Sequence, residues 1–202
     1  MIAIIDYNVG NLASVTNAFK RAGMDAVVTR EPEEILQAQA IVLPGVGTFP
    51  VAMENLRQVG LIDVLNQAKE QGTIIMGICL GMQILFEKGY EVKETSGLGF
   101  LKGSVNLMQV DAKIPHMGWN QLRFNHSHPL LKYVDEGDYV YFVHSYCATC
   151  PDDELMAYAD YGGQKISGLV AKDHVIGCQF HPEKSGEVGK RILKAFKEMV
   201  EK

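Results

Sequence analysis

Residues 73–83 read TIIMGICLGMQ, an apolar run that ends in a cysteine flanked by glycines. The run is typical of a buried strand, and the residues that follow it favour a helix over residues 80–88. Gly77 and Gly81 leave room for a tight strand-to-helix turn with Cys79 at its tip. The partial positive charge at a helix N-terminus favours a thiolate there. The stretch therefore predicts an α/β fold with Cys79 as nucleophile, and a buried cysteine in an ordinary turn is the alternative.

On either side of this turn, apolar runs alternate with segments of helical periodicity. Further strands are predicted at residues 2–5, 26–29 and 41–43, with helices between them. Continuous apolar strands separated by helices are typical of a parallel sheet covered on both faces. After Ser104 the runs shorten and alternate, which indicates antiparallel pairing. The sequence predicts one α/β domain over residues 1–202, with a mixed, mostly parallel central sheet flanked by helices and a smaller antiparallel part in the second half.

The composition narrows the class of protein. Hydrophobic residues make up 47% of the chain, and the formal net charge is -5 at pH 7. No run of Lys or Arg offers a footprint for a nucleic-acid backbone. No apolar stretch reaches the roughly 18 residues of a membrane helix, and the first residues lack the pattern of a signal peptide. We therefore expect a cytoplasmic protein that binds neither nucleic acid nor membrane.

The four cysteines are expected to be reduced in such a protein. Cys147 and Cys150 form a C-x-x-C pair, but no second pair completes a set of metal ligands. Cys178 lies in an apolar run and is expected to be a buried structural thiol. The sequence therefore predicts no metal site and no cofactor.

A cysteine nucleophile needs a base, and His181 is the strongest candidate among the six histidines. It ends an apolar run and precedes Pro182, which favours an extended backbone. In an extended chain residues i and i+2 project to the same side, so Glu183 is expected to reach its imidazole. His116 and His144 lie beside predicted strands and are harder to dismiss than the rest. A strand-end turn in which Glu183 only begins the last helix is the competing interpretation.

Attack on a carboxamide creates an oxyanion, which needs backbone N–H donors. One donor is expected from Leu80, the residue after the nucleophile. The second is expected from Val46, between Gly45 and Gly47, because this stretch ends a predicted parallel strand at the edge where α/β active sites form. The two glycines permit a backbone orientation, or a peptide flip, that other residues resist. A plain turn is the alternative.

Together these motifs resemble the class I glutamine amidotransferases over almost the whole chain. The resemblance is carried by GICLGMQ at 77–83 and by His181-Pro182-Glu183. Further stretches resemble the glutaminase subunits of imidazole glycerol phosphate synthases: DYNVGNL at 6–12, PGVG at 44–47, PHMGWN at 115–120 and HPEKS at 181–185. Thr48-Phe49-Pro50 departs from the family, in which a glycine-containing helix start is more usual, and we expect only a local effect.

The resemblance implies the mechanism of a glutaminase. Cys79 would attack the side-chain carboxamide of L-glutamine, with His181 as base and then as acid to the leaving ammonia. Glu183 would orient His181, and water would hydrolyse the thioester to L-glutamate. The residues that would bind the substrate are Gly47, Gln83, Ser145 and Tyr146.

The resemblance also implies a partner, a (β/α)8-barrel cyclase that forms a heterodimer with the chain and receives the ammonia. In histidine biosynthesis this cyclase converts a phosphoribulosyl-formimino carboxamide ribonucleotide into imidazole glycerol phosphate and aminoimidazole carboxamide ribonucleotide. The residues implied at the interface are Asn11, Met117, Trp119, Tyr141 and Lys184. An exposed Trp119 fits an interface hot spot, and a core position is its alternative.

Three other interpretations stay open from the sequence. A glutaminase of another synthase, such as the one that makes pyridoxal phosphate, leaves the stretch 115–120 unexplained. A cysteine peptidase or other hydrolase on a related fold predicts a wider acyl pocket and has no need of Gln83. An inactive binding module does not explain why Cys79, His181 and Glu183 are all present.

Overall fold

The computed structural model describes residues 1–202. The strands are β1 (Ile2–Ile5), β2 (Ala26–Thr29), β3 (Ala40–Leu43), β4 (Ile74–Ile78), β5 (Phe86–Gly89), β6 (Thr95–Ser96), β7 (Leu101–Leu107), β8 (His116–Gln121), β9 (Arg123–Phe124), β10 (Tyr139–His144), β11 (Tyr146–Thr149), β12 (Leu155–Tyr161), β13 (Gln164–Lys172) and β14 (Val175–Cys178). The helices are α1 (Leu12–Arg21), α2 (Pro32–Gln37), α3 (Phe49–Gln58), α4 (Ile62–Glu70), α5 (Leu80–Gln83) and α6 (Gly186–Val200). Single 3₁₀ turns occupy Pro129–Leu131, Asp152–Glu154 and Pro182–Lys184.

The central sheet has eight strands in the order β2-β1-β3-β4-β14-β13-β12-β9. The first five are parallel to their neighbours and the last three are antiparallel. Strands β1 and β3 are buried along their whole length, as expected for strands covered on both faces. The predicted α/β fold with a mixed sheet is confirmed.

Apolar clusters cover the two faces of this sheet. On one face α1 and α6 pack together, with the rings of Phe19 and Phe196 edge to face at 5.7 Å between centroids. On the other face α3 and α4 bury Met53, Leu56 and Leu65. Helix α3 begins at Phe49 with Pro50 in its first turn, so the unusual proline is accommodated at a position where it is harmless. No helix combines the length and the apolar character needed to cross a membrane.

Two smaller sheets, built mainly from the second half of the chain, complete the fold. Strands β8 and β10 form an antiparallel ribbon, and β11, β7, β5 and β6 form a four-stranded sheet. This confirms the predicted antiparallel part.

The helix predicted over residues 80–88 is wrong in extent. Helix α5 ends at Gln83, and Phe86–Gly89 is strand β5, which pairs with β7. The reason is burial: Ile84, Leu85 and Phe86 are all fully buried, so this segment lacks the polar face of a surface helix. One helical turn after Cys79 is enough to form the elbow.

Candidate functional site

Three loops meet at the carboxyl edge of the sheet. Strands β3, β4 and β14 are adjacent, with Leu43 level with Gly77 and Cys178 level with Ile78. The loops that follow these strands carry Gly45–Gly47, Cys79 and His181. Because parallel strands end at the same edge, segments that are distant in sequence converge where α/β proteins place their sites.

Cys79 occupies a strained turn between β4 and α5. Its backbone has φ 56° and ψ -112°, and a non-glycine residue with positive φ is uncommon and costs energy. The Cys79 amide donates to the Cys178 carbonyl at 2.7 Å, which fixes the turn to the neighbouring strand. The predicted elbow is therefore present, with its thiol at the start of α5.

The glycines around Cys79 are required by close backbone approach. A Cβ atom on Gly77 would lie 2.4 Å from the Gly81 carbonyl oxygen, and one on Gly81 would lie 1.8 Å from the Leu43 carbonyl oxygen. A Cβ on Gly45 would lie 2.9 Å from the Gly81 amide nitrogen. The elbow and the Gly45–Gly47 loop therefore pack directly on each other, with no room for side chains between them.

His181 and Glu183 form a buried pair. His181 Nδ1 lies 2.7 Å from Glu183 Oε1, and both side chains are 3% exposed. Because a carboxylate only accepts, Nδ1 carries the proton, and Nε2 is the basic nitrogen of the neutral ring. Nε2 has no hydrogen-bond partner in the protein, so it is available to a thiol or a substrate. His181 is extended as predicted, whereas Glu183 lies in the 3₁₀ turn Pro182–Lys184, and this turn brings it back to the ring.

The charge state of His181 is set by opposing effects. Burial lowers the pKa of His181, but its neighbours Cys79 and Glu183 outweigh burial and raise this pKa from 6.5 to about 9. A protonated imidazole stabilises a thiolate beside it by Coulomb attraction. The arrangement suits a cysteine nucleophile that works near neutral pH.

A pocket of about 300 Å³ opens over Cys79 and His181. This volume is at the low end of the range of roughly 300–1,000 Å³ for small-molecule sites. The residues expected from the sequence to bind substrate or donate to an oxyanion all line it: Val46, Gly47, Leu80, Gln83, Ser145 and Tyr146. The structure thus brings these residues together around the thiol, and their roles stay predictions.

Gln83 is buried rather than an exposed helix residue. Its Nε2 donates to the Tyr146 carbonyl and to Gln179 Oε1, both at 3.0 Å. Gln179 Nε2 in turn lies 3.7 Å from Cys79 Sγ. Sequence reasoning missed Gln179, although it stands two residues before His181, the spacing that places side chains on one side of an extended chain.

Sequence reasoning also missed Glu91. Its carboxylate accepts from the Phe49 amide at 2.8 Å, at the start of α3, and it lines the same pocket as Cys79. The surrounding stretch EVKE at 91–94 looks like a solvated loop, so no sequence signal pointed to this residue.

Beside the Gly45–Gly47 loop lies Tyr7, which is fully buried. Its hydroxyl donates to the Pro44 carbonyl, immediately before Gly45. The amide of Leu80 stands at the first position of α5, where a helix offers it no carbonyl partner. Both stretches expected to hold an oxyanion are therefore beside the thiol.

Four of the five residues implied at a partner interface lie close together. Trp119 and Tyr141 are paired across the β8–β10 ribbon, with ring centroids 6.0 Å apart, and Lys184 Nζ lies 5.8 Å from the centre of the Tyr141 ring. Trp119 is 53% and Met117 61% exposed, so the core position for Trp119 is wrong. The Tyr141 carbonyl accepts from the His181 amide at 2.9 Å, so this surface adjoins the triad.

Asn11, the fifth of these residues, caps α1 through its side chain, which accepts from the Ser14 amide at 3.2 Å. It also lines a small cavity with Val46, His181 and Lys184. Asn11 therefore lies on the same side of the molecule as His181.

The cysteines outside the elbow are free. Cys178 is fully buried, as predicted, and Cys147 is buried in β11. Burial raises the pKa values of Cys147 and Cys150 to about 11, which makes both thiols poor nucleophiles.

The chain resembles known proteins in both sequence and structure. The family model "Glutamine amidotransferase class-I" matches residues 3–199. A protein of Lactococcus lactis subsp. lactis named "Imidazole glycerol phosphate synthase subunit HisH" is 57% identical over 199 residues, which are 98% of each chain. A protein of the same name from Bacillus cereus (strain G9842) is 51% identical over 201 residues, or 100% of this chain and 96% of that one.

Solved structures share the fold at lower sequence identity. A structure described as a glutamine amidotransferase superposes with a TM-score of 0.78 at 20% identity, over 100% of both chains. PurLQS from Thermotoga maritima superposes with a TM-score of 0.75 at 20% identity, over 98% of this chain and 97% of that one. These likenesses establish the architecture alone.

Proposed function

The chain belongs to the class I glutamine amidotransferase family, and we propose that it hydrolyses L-glutamine to L-glutamate and ammonia with Cys79, His181 and Glu183. Its function is that of the glutaminase subunit of imidazole glycerol phosphate synthase, an enzyme of histidine biosynthesis. One observation carries the catalytic assignment. A cysteine in a strained elbow shares a pocket with a histidine whose other nitrogen is held 2.7 Å from a buried carboxylate.

In the first half-reaction the Cys79 sulfur attacks the carboxamide carbon of glutamine. The carbonyl oxygen gains negative charge and accepts hydrogen bonds from the amides of Val46 and Leu80. The protonated His181 then gives its proton to the leaving nitrogen, and ammonia departs as the thioester forms. Glu183 keeps the imidazole ring in place throughout and stabilises its positive charge whenever the ring is protonated.

In the second half-reaction water attacks the thioester. His181, now neutral, accepts a proton from the water through Nε2 and so returns to its charged form. The tetrahedral intermediate collapses to L-glutamate and the Cys79 thiolate. Apart from glutamine and water, the cycle therefore needs only groups that line the pocket and Glu183, which holds His181 from behind.

The pocket also supports the choice of a small amino acid as substrate. Its volume of about 300 Å³ suits one amino acid rather than a peptide chain. Gly47, Gln83, Ser145 and Tyr146 supply backbone and amide groups for hydrogen bonds, and the Glu91 carboxylate offers a negative charge for the α-ammonium group. This composition favours glutamine over a neutral acyl group of similar size.

The chain acts as a subunit of a complex, and we propose that its partner is a (β/α)8-barrel cyclase that receives the ammonia. Trp119, Tyr141 and Lys184 form an aromatic and cationic cluster beside His181, which supports docking of the partner at this surface. We further propose that residues 1–202 act as one domain, since a single sheet contains strands from both halves of the chain, and that the reaction takes place in the cytoplasm.

Glutamate release by the purified chain tests this function. It is measured without a partner, with the cognate cyclase, and with the cyclase plus its nucleotide ligand. We expect slow release by the chain alone and strong stimulation by the liganded cyclase. A rate of glutamate release that does not depend on the cyclase would support the glutaminase activity but contradict the proposed partner. If no glutamate is released under any condition, the glutaminase activity itself is contradicted.

Replacement of Trp119 by alanine is expected to weaken cyclase binding roughly 30-fold, because buried Trp anchors in interfaces contribute about 2 kcal/mol or more. Slow glutamate release without the cyclase should stay at the wild-type rate, since the indole is 53% exposed in the free chain. Titration calorimetry with the cyclase measures the affinity. Val28→Ala, which trims another exposed apolar side chain on the edge strand β2, is the control, and equal affinities for all three proteins would contradict the interface.

A further inference from the structure

Two buried histidines outside the triad face each other in the β8–β10 ribbon. His116 and His144 are directly opposite in the strand register, and they are 2% and 6% exposed. The catalytic mechanism uses neither of them. Because buried polar groups are almost always hydrogen-bonded, their partners show what they do.

Their hydrogen bonds form a chain with one possible direction. His144 Nδ1 lies 2.8 Å from the Tyr146 carbonyl oxygen, which only accepts, so Nδ1 carries the proton. His144 Nε2 is then an acceptor, and it lies 3.1 Å from His116 Nδ1, which must donate. His116 Nε2 completes the chain as an acceptor 3.4 Å from Asn120 Nδ2.

Both rings must be neutral for this chain to exist. Burial lowers the pKa of His116 and that of His144 to about 4, so both are uncharged at neutral pH. In neutral histidine the position of the proton follows from the hydrogen bonds that the ring makes. The chain therefore fixes the same tautomer, with the proton on Nδ1, in both residues.

The end of the chain is a wall of the glutamine pocket. The Tyr146 carbonyl that accepts from His144 also accepts from Gln83 Nε2 at 3.0 Å. His144, Ser145 and Tyr146 all line the pocket. This carbonyl is thus held by two donors, and the one from His144 depends in turn on His116, which does not itself line the pocket.

We propose that His116 is a positioning residue for substrate: by donating to His144 it holds the segment 144–146 in the shape that binds the amino-acid end of glutamine. This inference rests on the proposed glutaminase function. His116 also lies in the strand whose Met117 and Trp119 side chains are exposed. The strand therefore connects the proposed partner surface to the substrate pocket.

Two substitutions separate the hydrogen bond of His116 from its packing. The His116 ring stacks between Phe142 at 4.7 Å and Tyr161 at 3.9 Å. His116→Phe keeps an aromatic ring there but cannot donate, and it leaves His144 Nε2 unpaired. His116→Asn loses the stacking but places an amide N–H near the position of Nδ1.

We expect His116→Phe to raise the KM for glutamine roughly tenfold, the effect of an unpaired buried acceptor. The value of kcat should change little, because the interaction is equal in ground and transition states. His116→Asn should restore a KM near that of wild type. Glutamate release is measured in the presence of the cyclase, and His126→Phe, at an exposed loop histidine, is the matched control.

A purely structural role of the ring gives the opposite order, with His116→Asn worse than His116→Phe, and would overturn the proposal. So would a wild-type KM in His116→Phe, or a loss confined to kcat. Long-range ¹H–¹⁵N spectra of the wild-type protein supply a second test, with the signals assigned from the two variants and from His144→Asn. Protons on Nδ1 of both rings are expected, and a proton on Nε2 of His144 would overturn the link even if the wild-type chain released no glutamate.

Discussion

Cys79→Ala is expected to abolish glutamate release, with a loss of at least about 10⁵-fold in kcat, because removal of a nucleophile leaves only binding and the oxyanion site. Without sulfur no thioester can form, and the remaining groups provide no substitute. The fold should survive, since alanine removes one atom from a side chain that is 7% exposed. The positive φ of 56° at this position costs alanine no more energy than it costs cysteine.

The measurement is glutamate release with and without the liganded cyclase, together with the thermal midpoint of the variant. Cys150→Ala is the matched control, because Cys150 is a free cysteine outside the pocket. It should retain wild-type kcat. A Cys79→Ala protein that is folded, binds the cyclase and still releases glutamate at more than trace rates would exclude the covalent mechanism.

The elbow was predictable because its requirements are local. Small residues at 77 and 81 and an apolar strand before them are visible in the sequence, and the structure shows that Cβ atoms there would overlap backbone atoms. The contact between His181 and Glu183 was predictable for the same reason, since Pro182 alone separates the two residues in the chain. Local geometry of this kind leaves a signature in neighbouring residues.

What brings His181 to Cys79 was not visible in the sequence. It depends on strand order: β14 lies beside β4 in the sheet, with Gly177 level with Gly77, although the paired residues Ile78 and Cys178 are 100 residues apart in the chain. Non-local pairing of this kind has no signature in either segment alone. The same limitation hid Gln179 and Glu91, whose roles come from contacts with Gln83 and Phe49.

The helix predicted after the elbow failed for a different reason. A continuous apolar run fits a buried helix and a buried strand equally well, and only tertiary contacts decide between them. Here the residues after Gln83 enter the second sheet as β5 and pair with β7. The resemblance to a known family supplied the residues proposed for the partner interface, and the exposure of Trp119 then decided between a surface and a core position.

The hydrogen-bonded pair His116 and His144 connects the proposed partner surface to the proposed substrate pocket. Trp119 and Tyr141 are paired in the ribbon three residues from where His116 and His144 are paired. The Tyr141 carbonyl holds the His181 amide at 2.9 Å. A partner that moves the ribbon would therefore act on the substrate pocket through His144 and on the triad through His181.

His181→Asn is expected to lower kcat by about 10³-fold, a typical contribution of a general acid and base. Asparagine can donate to Glu183 but cannot accept a proton from water or deliver one to ammonia. The thiol stays in place, so the residual reaction should still form the thioester with departure of ammonia and should yield ammonia and glutamate in equal amounts. Steady-state glutamate release measures the loss, and His126→Asn at an exposed loop should show none.

The same substitution should also change how stability depends on pH. The pKa of His181 rises from 6.5 to about 9 on folding, so the folded protein binds its proton more tightly than the unfolded chain. The stabilisation is complete below about pH 6.5 and is lost as the pH rises through about 9, with a slope of at most about 1.4 kcal/mol per pH unit. Urea unfolding of wild type and His181→Asn between pH 6 and 10 measures it. Identical pH dependence in the two proteins would mean that the buried imidazole is neutral at pH 7, and that the thiol must be deprotonated during catalysis rather than before it.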